Sequence, residues 1–159
     1  RYIGNGAPKH FKSGSTNLTS KNFELSVFFR GTFGFDVFNM RKYGMGLQGC
    51  GTDNVLRSAY LEDKNIRTGG GVISSYFLED GSFIKLENVT LGYNFTPKNR
   101  KLLDNMRIYL SAKNLFTLTG YSGNDPSIID VNGIQPGVDS NSAYPTATQL
   151  SLGVTLRFK

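Results

Sequence analysis

Apolar and polar residues alternate along several stretches of this chain, with the two-residue period of a strand. The clearest is the last, TQLSLGVTLRFK (148–159). Leu150, Leu152, Val154, Leu156 and Phe158 fall on one side; Ser151, Gly153, Thr155 and Arg157 fall on the other. Residues 22–37 put Phe23, Leu25, Val27, Phe29, Phe33 and Phe35 opposite Glu24, Ser26, Arg30, Thr32 and Asp36, with Phe28 the exception on the polar side. Residues 82–95 put Val89, Leu91, Tyr93 and Phe95 opposite Asn88, Thr90, Gly92 and Asn94. Ile84 and Leu86 are out of phase with that set, which predicts a bulge near Glu87. Residues 106–119 put Ile108, Leu110, Ala112, Phe116 and Leu118 opposite Arg107, Ser111, Lys113 and Thr117. A weaker, polar segment over 11–20 completes a set of five strands.

The connections alternate in length. Short ones, near Ser20–Asn22 and over 96–105, follow the first and third strands; long ones, over 38–81 and 120–146, follow the second and fourth. Transmembrane β-barrels join their strands in this way, with short turns at one membrane face and long loops at the other. The apolar faces of the four clear strands carry no charge, as lipid contact requires. Arg30, Lys113 and Arg157 stand on the opposite faces, where a watery lumen accepts them. Aromatic residues gather at two levels, Phe23, Tyr93, Phe95 and Phe158 at one and Phe33, Phe35, Phe83 and Phe116 at the other, the expected positions of interfacial girdles. A soluble β-sandwich also alternates, so a small secreted or surface sandwich that binds glycans is the competing expectation. Five strands do not close a barrel, and an open edge cannot stand in lipid. The barrel reading therefore predicts one part of a larger wall.

Composition narrows the chemistry. Hydrophobic residues make up 38% of the chain, without any run long enough for a membrane helix, and 19 glycines with 20 Phe and Tyr suit a β-rich fold. The formal charge of +6 is scattered rather than blocked, so no nucleic-acid partner is expected. A single Cys50 and a single His10 give no internal disulfide, metal cluster or catalytic triad. GMGLQG (44–49) fits a G-x-G-x-x-G pattern before a short helical stretch at Val55, Leu56, Ala59 and Tyr60. The preceding strand alternates instead of being wholly apolar, which argues against a dinucleotide site. LQGC (47–50) has no apolar segment before it and reads as loop. No cofactor is expected, nor an enzyme.

The loop YSGNDPSIIDVNGIQPGVDSNSAY (121–144) carries Tyr121, Asn124, Asp125, Asp130, Asp139 and Tyr144. Rings and oxygen-bearing side chains in this mixture suit contact with hydroxyl-rich cargo or a partner. They equally suit the ordering of a long loop, with Asn124–Asp125–Pro126 as a turn.

Four stretches in order resemble the C-terminal region of SusC/RagA-type TonB-linked outer-membrane transporters of Bacteroidetes. They are KNFELSVFFRGTFGFDVFN (21–39), FLEDGSFIKLENVTLGYNFTP (77–97), RIYLSAKNLFTLTGYSGNDP (107–126) and YPTATQLSLGVTLRF (144–158). The resemblance implies an all-β fold, the last five or so antiparallel strands of a barrel of about 22, with two long extracellular loops. It implies residence in the outer membrane of a Gram-negative bacterium, in contact with its lipid. It implies import of oligosaccharides or peptides with a SusD-like surface lipoprotein, driven through TonB by an N-terminal part not in this sequence. It also implies that Leu156 and Phe158 of the closing strand form a signal for the barrel-assembly machinery; Val154, on the same face, is assigned no part in it.

Overall fold

The computed structural model describes residues 3–46, 54–57, 73–97, 103–128, 135–140, 144 and 146–158. In chain order the elements are β1 (His10–Ser20), β2 (Phe23–Phe33), β3 (Asp36–Asn39), α1 (Met40–Met45), a 3-10 turn (Ser75–Phe77) and β4 (Leu78–Asp80). They continue with β5 (Phe83–Phe95), β6 (Leu103–Thr119), a second 3-10 turn (Pro126–Ile128), β7 (Val138–Asp139) and β8 (Gln149–Phe158). The chain divides into two compact units. One comprises Arg1–His10, Thr32–Phe83 and Thr119–Pro145; the other Phe11–Gly31, Ile84–Leu118 and Thr146–Lys159.

The second unit holds most of a five-stranded sheet in the order β1-β2-β5-β6-β8. Its neighbours run antiparallel. Only Lys21 and Asn22 link β1 to β2, too few for a parallel crossover, and Lys21 adopts a left-handed φ of 53° to close the turn. The Asn94 amide donates to the Asn22 carbonyl, so the end of β5 lies beside the start of β2. β6 and β8 pair antiparallel from Leu103↔Phe158 to Lys113↔Gln149. That register sets Ile108, Leu110 and Ala112 against Val154, Leu152 and Leu150, and Arg107, Tyr109 and Ser111 against Thr155, Gly153 and Ser151. Both apolar sets therefore share one face. Asn114, inside β6, has a φ of 53°, a conformation asparagine tolerates better than most residues. Its side chain donates to the Ala147 carbonyl and its own carbonyl accepts from the Thr148 hydroxyl, so this kink ties β6 to the lead-in of β8.

The bulge predicted near Glu87 is visible in side-chain direction. Glu87 pairs with Arg30 at 2.8 Å, and its neighbour Asn88 accepts from Ser111, so two successive residues address the same face. Outward exposure changes parity accordingly, from Ile84 to Leu91, Tyr93 and Phe95.

The first unit is built from the long connections and contains a small sheet that the alternation did not predict. β3 pairs antiparallel with β4 (Val37↔Glu79) and parallel with β7 (Phe38↔Val138), so not every strand of the chain is antiparallel. The expected second strand, 22–37, stops at Phe33. Gly34 takes a φ of 73°, reachable for glycine at little cost, and the chain re-enters extended structure as β3. The period-two pattern runs on across this break, but Phe35 does not stay on the wall. Phe35 and Phe83 are buried with Val37 and Tyr121 in the unit's core, so neither belongs to an interfacial girdle. At the other level Phe23 and Tyr93 pack edge to face, 4.8 Å between centroids, and remain exposed with Phe95 and Phe158.

α1 forms where Asn39 caps it, its side-chain oxygen accepting from the Lys42 amide at 2.8 Å. The helix ends at Gly46, whose amide returns to the Lys42 carbonyl. The first glycines of GMGLQG thus terminate a helix, whereas a phosphate cradle needs them to start one. Val55 and Leu56 are not helical; Ala59, Tyr60 and Cys50 lie outside the described residues.

Candidate functional site: the two faces of the sheet and the loop cluster

One face of the five-stranded sheet is apolar and uncovered. Phe29, Leu91, Ile108, Leu110, Leu118, Leu152 and Leu156 are among its exposed side chains, at 39–75% of their full surface. A β-sandwich would bury such a face against a second sheet; here the side chains meet solvent, so the sandwich expectation fails. A contiguous apolar surface of this extent demands a nonaqueous neighbour.

The other face is polar and internally paired. Arg107 on β6 reaches Glu24 on β2 at 2.9 Å, although β5 lies between them. Gly92 makes this reach feasible: a Cβ built there would sit 3.4 Å from both Arg107 Nε and Glu24 Oε2. Asn94 also donates to Glu24, and Thr90 donates to Ser111. Lys85, 2% exposed, donates to Thr146 at 3.0 Å. The Tyr109 ring lies over Gly153 of the facing strand. Arg30, expected to face a lumen, is on this face and bound to Glu87. Lys113 and Arg157 share it by register, opposite Gln149 and Asn105.

This arrangement yields a prediction. Gly92→Ala is expected to be tolerated, because 3.4 Å is ordinary contact distance. Gly92→Val should part Glu24 from Arg107 and cost about 1–3 kcal/mol, mostly as overpacking, since so exposed a pair contributes little. Thermal unfolding of the full-length protein in detergent would tell; equal midpoints for the two variants would contradict the bridging role of Gly92.

In the first unit, Glu79 on β4 is the centre of a cluster. Its carboxylate accepts from the Ser122 amide and hydroxyl, both at 2.9 Å, and from Lys42 Nζ at 3.2 Å. Asn39, 2% exposed, donates to Ser122 Oγ and Glu79 Oε1 while capping α1. Burial pushes the Glu79 carboxyl up, but Ser122 and Lys42 outweigh it and hold it below the ordinary 4.5. A lowered carboxyl pKa adds stability above the unfolded value, and that stability is lost as pH falls through the folded one. Pepsin cleavage over 75–82 and 119–128 should therefore rise between about pH 5 and about pH 3 more steeply in the native protein than in Glu79→Gln; parallel profiles would refute this.

The residues singled out in loop 121–144 separate into distinct roles. Tyr121 is buried, 6% exposed, and its hydroxyl donates to Asp139; burial, followed by the Asp139 hydrogen bond, drives its phenol pKa upward. It is a core residue and offers no ring to a cargo. Asp139 is occupied by that bond. Asp125 is buried and accepts from the Ser127 amide at 2.8 Å, forming the expected turn. Asn124 accepts from Arg41 on α1. Tyr144 is 86% exposed. Asp130 lies outside the described residues. Missed by sequence reasoning were Asn39, Glu79 and Ser122, and an apolar cleft of about 390 Å³ lined by Ile3, Phe38, Met40, Leu78, Pro136 and Val138. Only the N-cap character of Asn39 before a helical stretch was a readable signal. Among the described residues no His, Cys, Asp and Glu side chains cluster as metal ligands.

An antiparallel sheet with one uncovered apolar face and one paired, charged face has the two-sided character that a β-barrel wall requires. Comparison with known proteins gives the particular kind: by sequence and fold the chain is similar to a portion of SusC/RagA-type TonB-linked transporters. It is 26% identical over 99% of its length to TonB-dependent receptor P3 of Formosa agariphila, and 28% identical over 91% to TonB-dependent receptor SusC of Bacteroides thetaiotaomicron. It covers 17% and 14% of those proteins, so it spans about a sixth of the relatives it matches. Among solved structures, 95% of the chain superposes on the RagAB peptide importer in its closed-closed state, with a TM-score of 0.75 and 25% identity, covering 17% of that chain. A further RagAB structure, at 23% identity and a TM-score of 0.74, shares the fold. No family model matches the sequence. The relatives are receptors and transporters rather than enzymes.

Proposed function

We propose that this chain is the C-terminal wall segment of a TonB-dependent importer in the outer membrane of a Gram-negative bacterium. The observation that carries the proposal is the pairing of two unlike faces on one sheet: apolar side chains uncovered on one side, Arg30–Glu87 and Glu24–Arg107 on the other. In this reading lipid covers the first face, and the second lines the interior of a barrel of about 22 strands. The long connections face outward from the cell and the short turns face the periplasm. Oligosaccharides or peptides are the cargo, a SusD-like lipoprotein caps the outer side, and TonB acts through a plug and N-terminal segment elsewhere in the protein. The RagAB likeness supports the pairing with a lipoprotein. Asn124, Tyr144 and the apolar cleft are the loop-side groups available to cargo or partner. Leu156 and Phe158 serve as the assembly signal, and residues 1–159 form a single barrel segment.

The test is fractionation of the native host followed by intact mass. The polypeptide bearing this sequence is expected in the outer membrane, far larger than 159 residues, and to co-purify with a surface lipoprotein. A soluble protein of this length alone would overturn the proposal.

A further inference from the structure

Long connections between strands are ordinarily separate loops, each free to move about its own two ends. The two in this chain are fastened together at several independent points. β3, from the first connection, takes β7, from the second, as its parallel neighbour, and the Phe38 amide donates to the Gly137 carbonyl at 2.7 Å. The Asn39 amide group reaches Ser122, Arg41 reaches Asn124, and both Ser122 donors end on Glu79. Tyr121 of the second connection completes a core with Phe35 and Val37 of the first and with Phe83 at the start of β5. The leading segment joins them: the Asp36 amide donates to the Asn5 carbonyl, and the Asn5 amide to the Asp36 carboxylate. At the meeting of Gly6 and Gly137, a Cβ on either glycine would lie within 2.4 Å of backbone, so the two strands of chain are in direct contact.

We infer that the described parts of the two long connections (34–46 and 73–82 of the first, 120–128 and 135–140 of the second) and of the leading segment form one rigid block, with Glu79 as the clamp between the two connections, so that they move together or not at all. The parallel β3–β7 ladder has only two residue pairs, too short to hold by itself. The Glu79 carboxylate supplies what that ladder lacks: it is half-buried and reaches both connections at once. The inference rests on geometry within this unit.

Two measurements on the full-length protein in vesicles test it. Spin labels at Ser75→Cys and Gln135→Cys, one on each connection, should give a single narrow distance distribution that does not broaden between about 10 and about 37 °C. Two populations, or a distribution that broadens on warming, would show that the connections move separately. In Glu79→Ala, hydrogen exchange at the Ser122 amide should accelerate by about tenfold or more, and the Phe38 amide should accelerate with it, as one cooperative opening. Acceleration at Ser122 with Phe38 unchanged would overturn the clamp. If the variant does not assemble, the spin-label distances on the otherwise native protein still decide.

Discussion

Leu110→Lys in the full-length protein is expected to abolish or sharply reduce the amount of folded protein in the outer membrane. Leu110 sits midway along β6, opposite Leu152, on the uncovered face of the sheet. An ammonium group near the bilayer midplane costs about 2–4 kcal/mol on a barrel's lipid face. Ser151→Lys is the control: it lies on the other face, opposite Ser111, where the same charge faces the paired polar groups. Heat-modifiable migration of the protein from isolated outer membranes gives the readout. If both variants assemble equally well, the apolar face is not the lipid face.

Phe77→Ala should have the second large effect, confined to the loop-derived unit. Phe77 is 2% exposed and stands among the rings of Tyr43, Tyr76 and Phe38, with centroids 5.2, 5.2 and 6.1 Å away. Truncating a buried phenylalanine costs about 3–5 kcal/mol through lost transfer energy and the cavity left behind. The rings of Phe38 and Tyr43 belong to β3 and α1, so the loss should appear as protease cleavage within residues 36–46. Unchanged resistance there would mean that α1 is held by its Asn39 cap and Lys42 contacts alone. Phe77→Leu, which keeps most of the volume, should fall in between.

The sheet was legible in the sequence because one rule governs all of it. A sheet with one apolar and one polar face forces strict alternation, and β2, β5, β6 and β8 show it even where a bulge at Glu87 shifts the phase. The loop-derived unit obeys no such rule. Its strands are two to four residues long, and β3 takes as its parallel partner a strand roughly a hundred residues away in the chain, so no local period marks either one. Phe35 shows how the rule misleads. It continues the alternation of β2, but it follows the left-handed bend at Gly34 and is buried in a core. Tyr121 suits either cargo contact or the ordering of its loop as far as the sequence goes, and only the three-dimensional structure supplies Asp139 as its partner. Glu79, Asn39 and Ser122 are separated by tens of residues, so their convergence could not be seen before the fold was known.

The order of strands in the sheet also sets a timetable for assembly. β1 and β2 are joined by two residues, and β5 and β6 by residues 96–102, so each of these hairpins closes at little entropic cost. Every other neighbouring pair waits on a long excursion: β2 meets β5 only after residues 34–82, and β6 meets β8 only after 120–148. Local pairs form faster than distant ones. Two ready-made hairpins are thus expected to exist before they are zipped together, and β8, which shares no short turn with a neighbour, is expected to join β6 later than either hairpin closes.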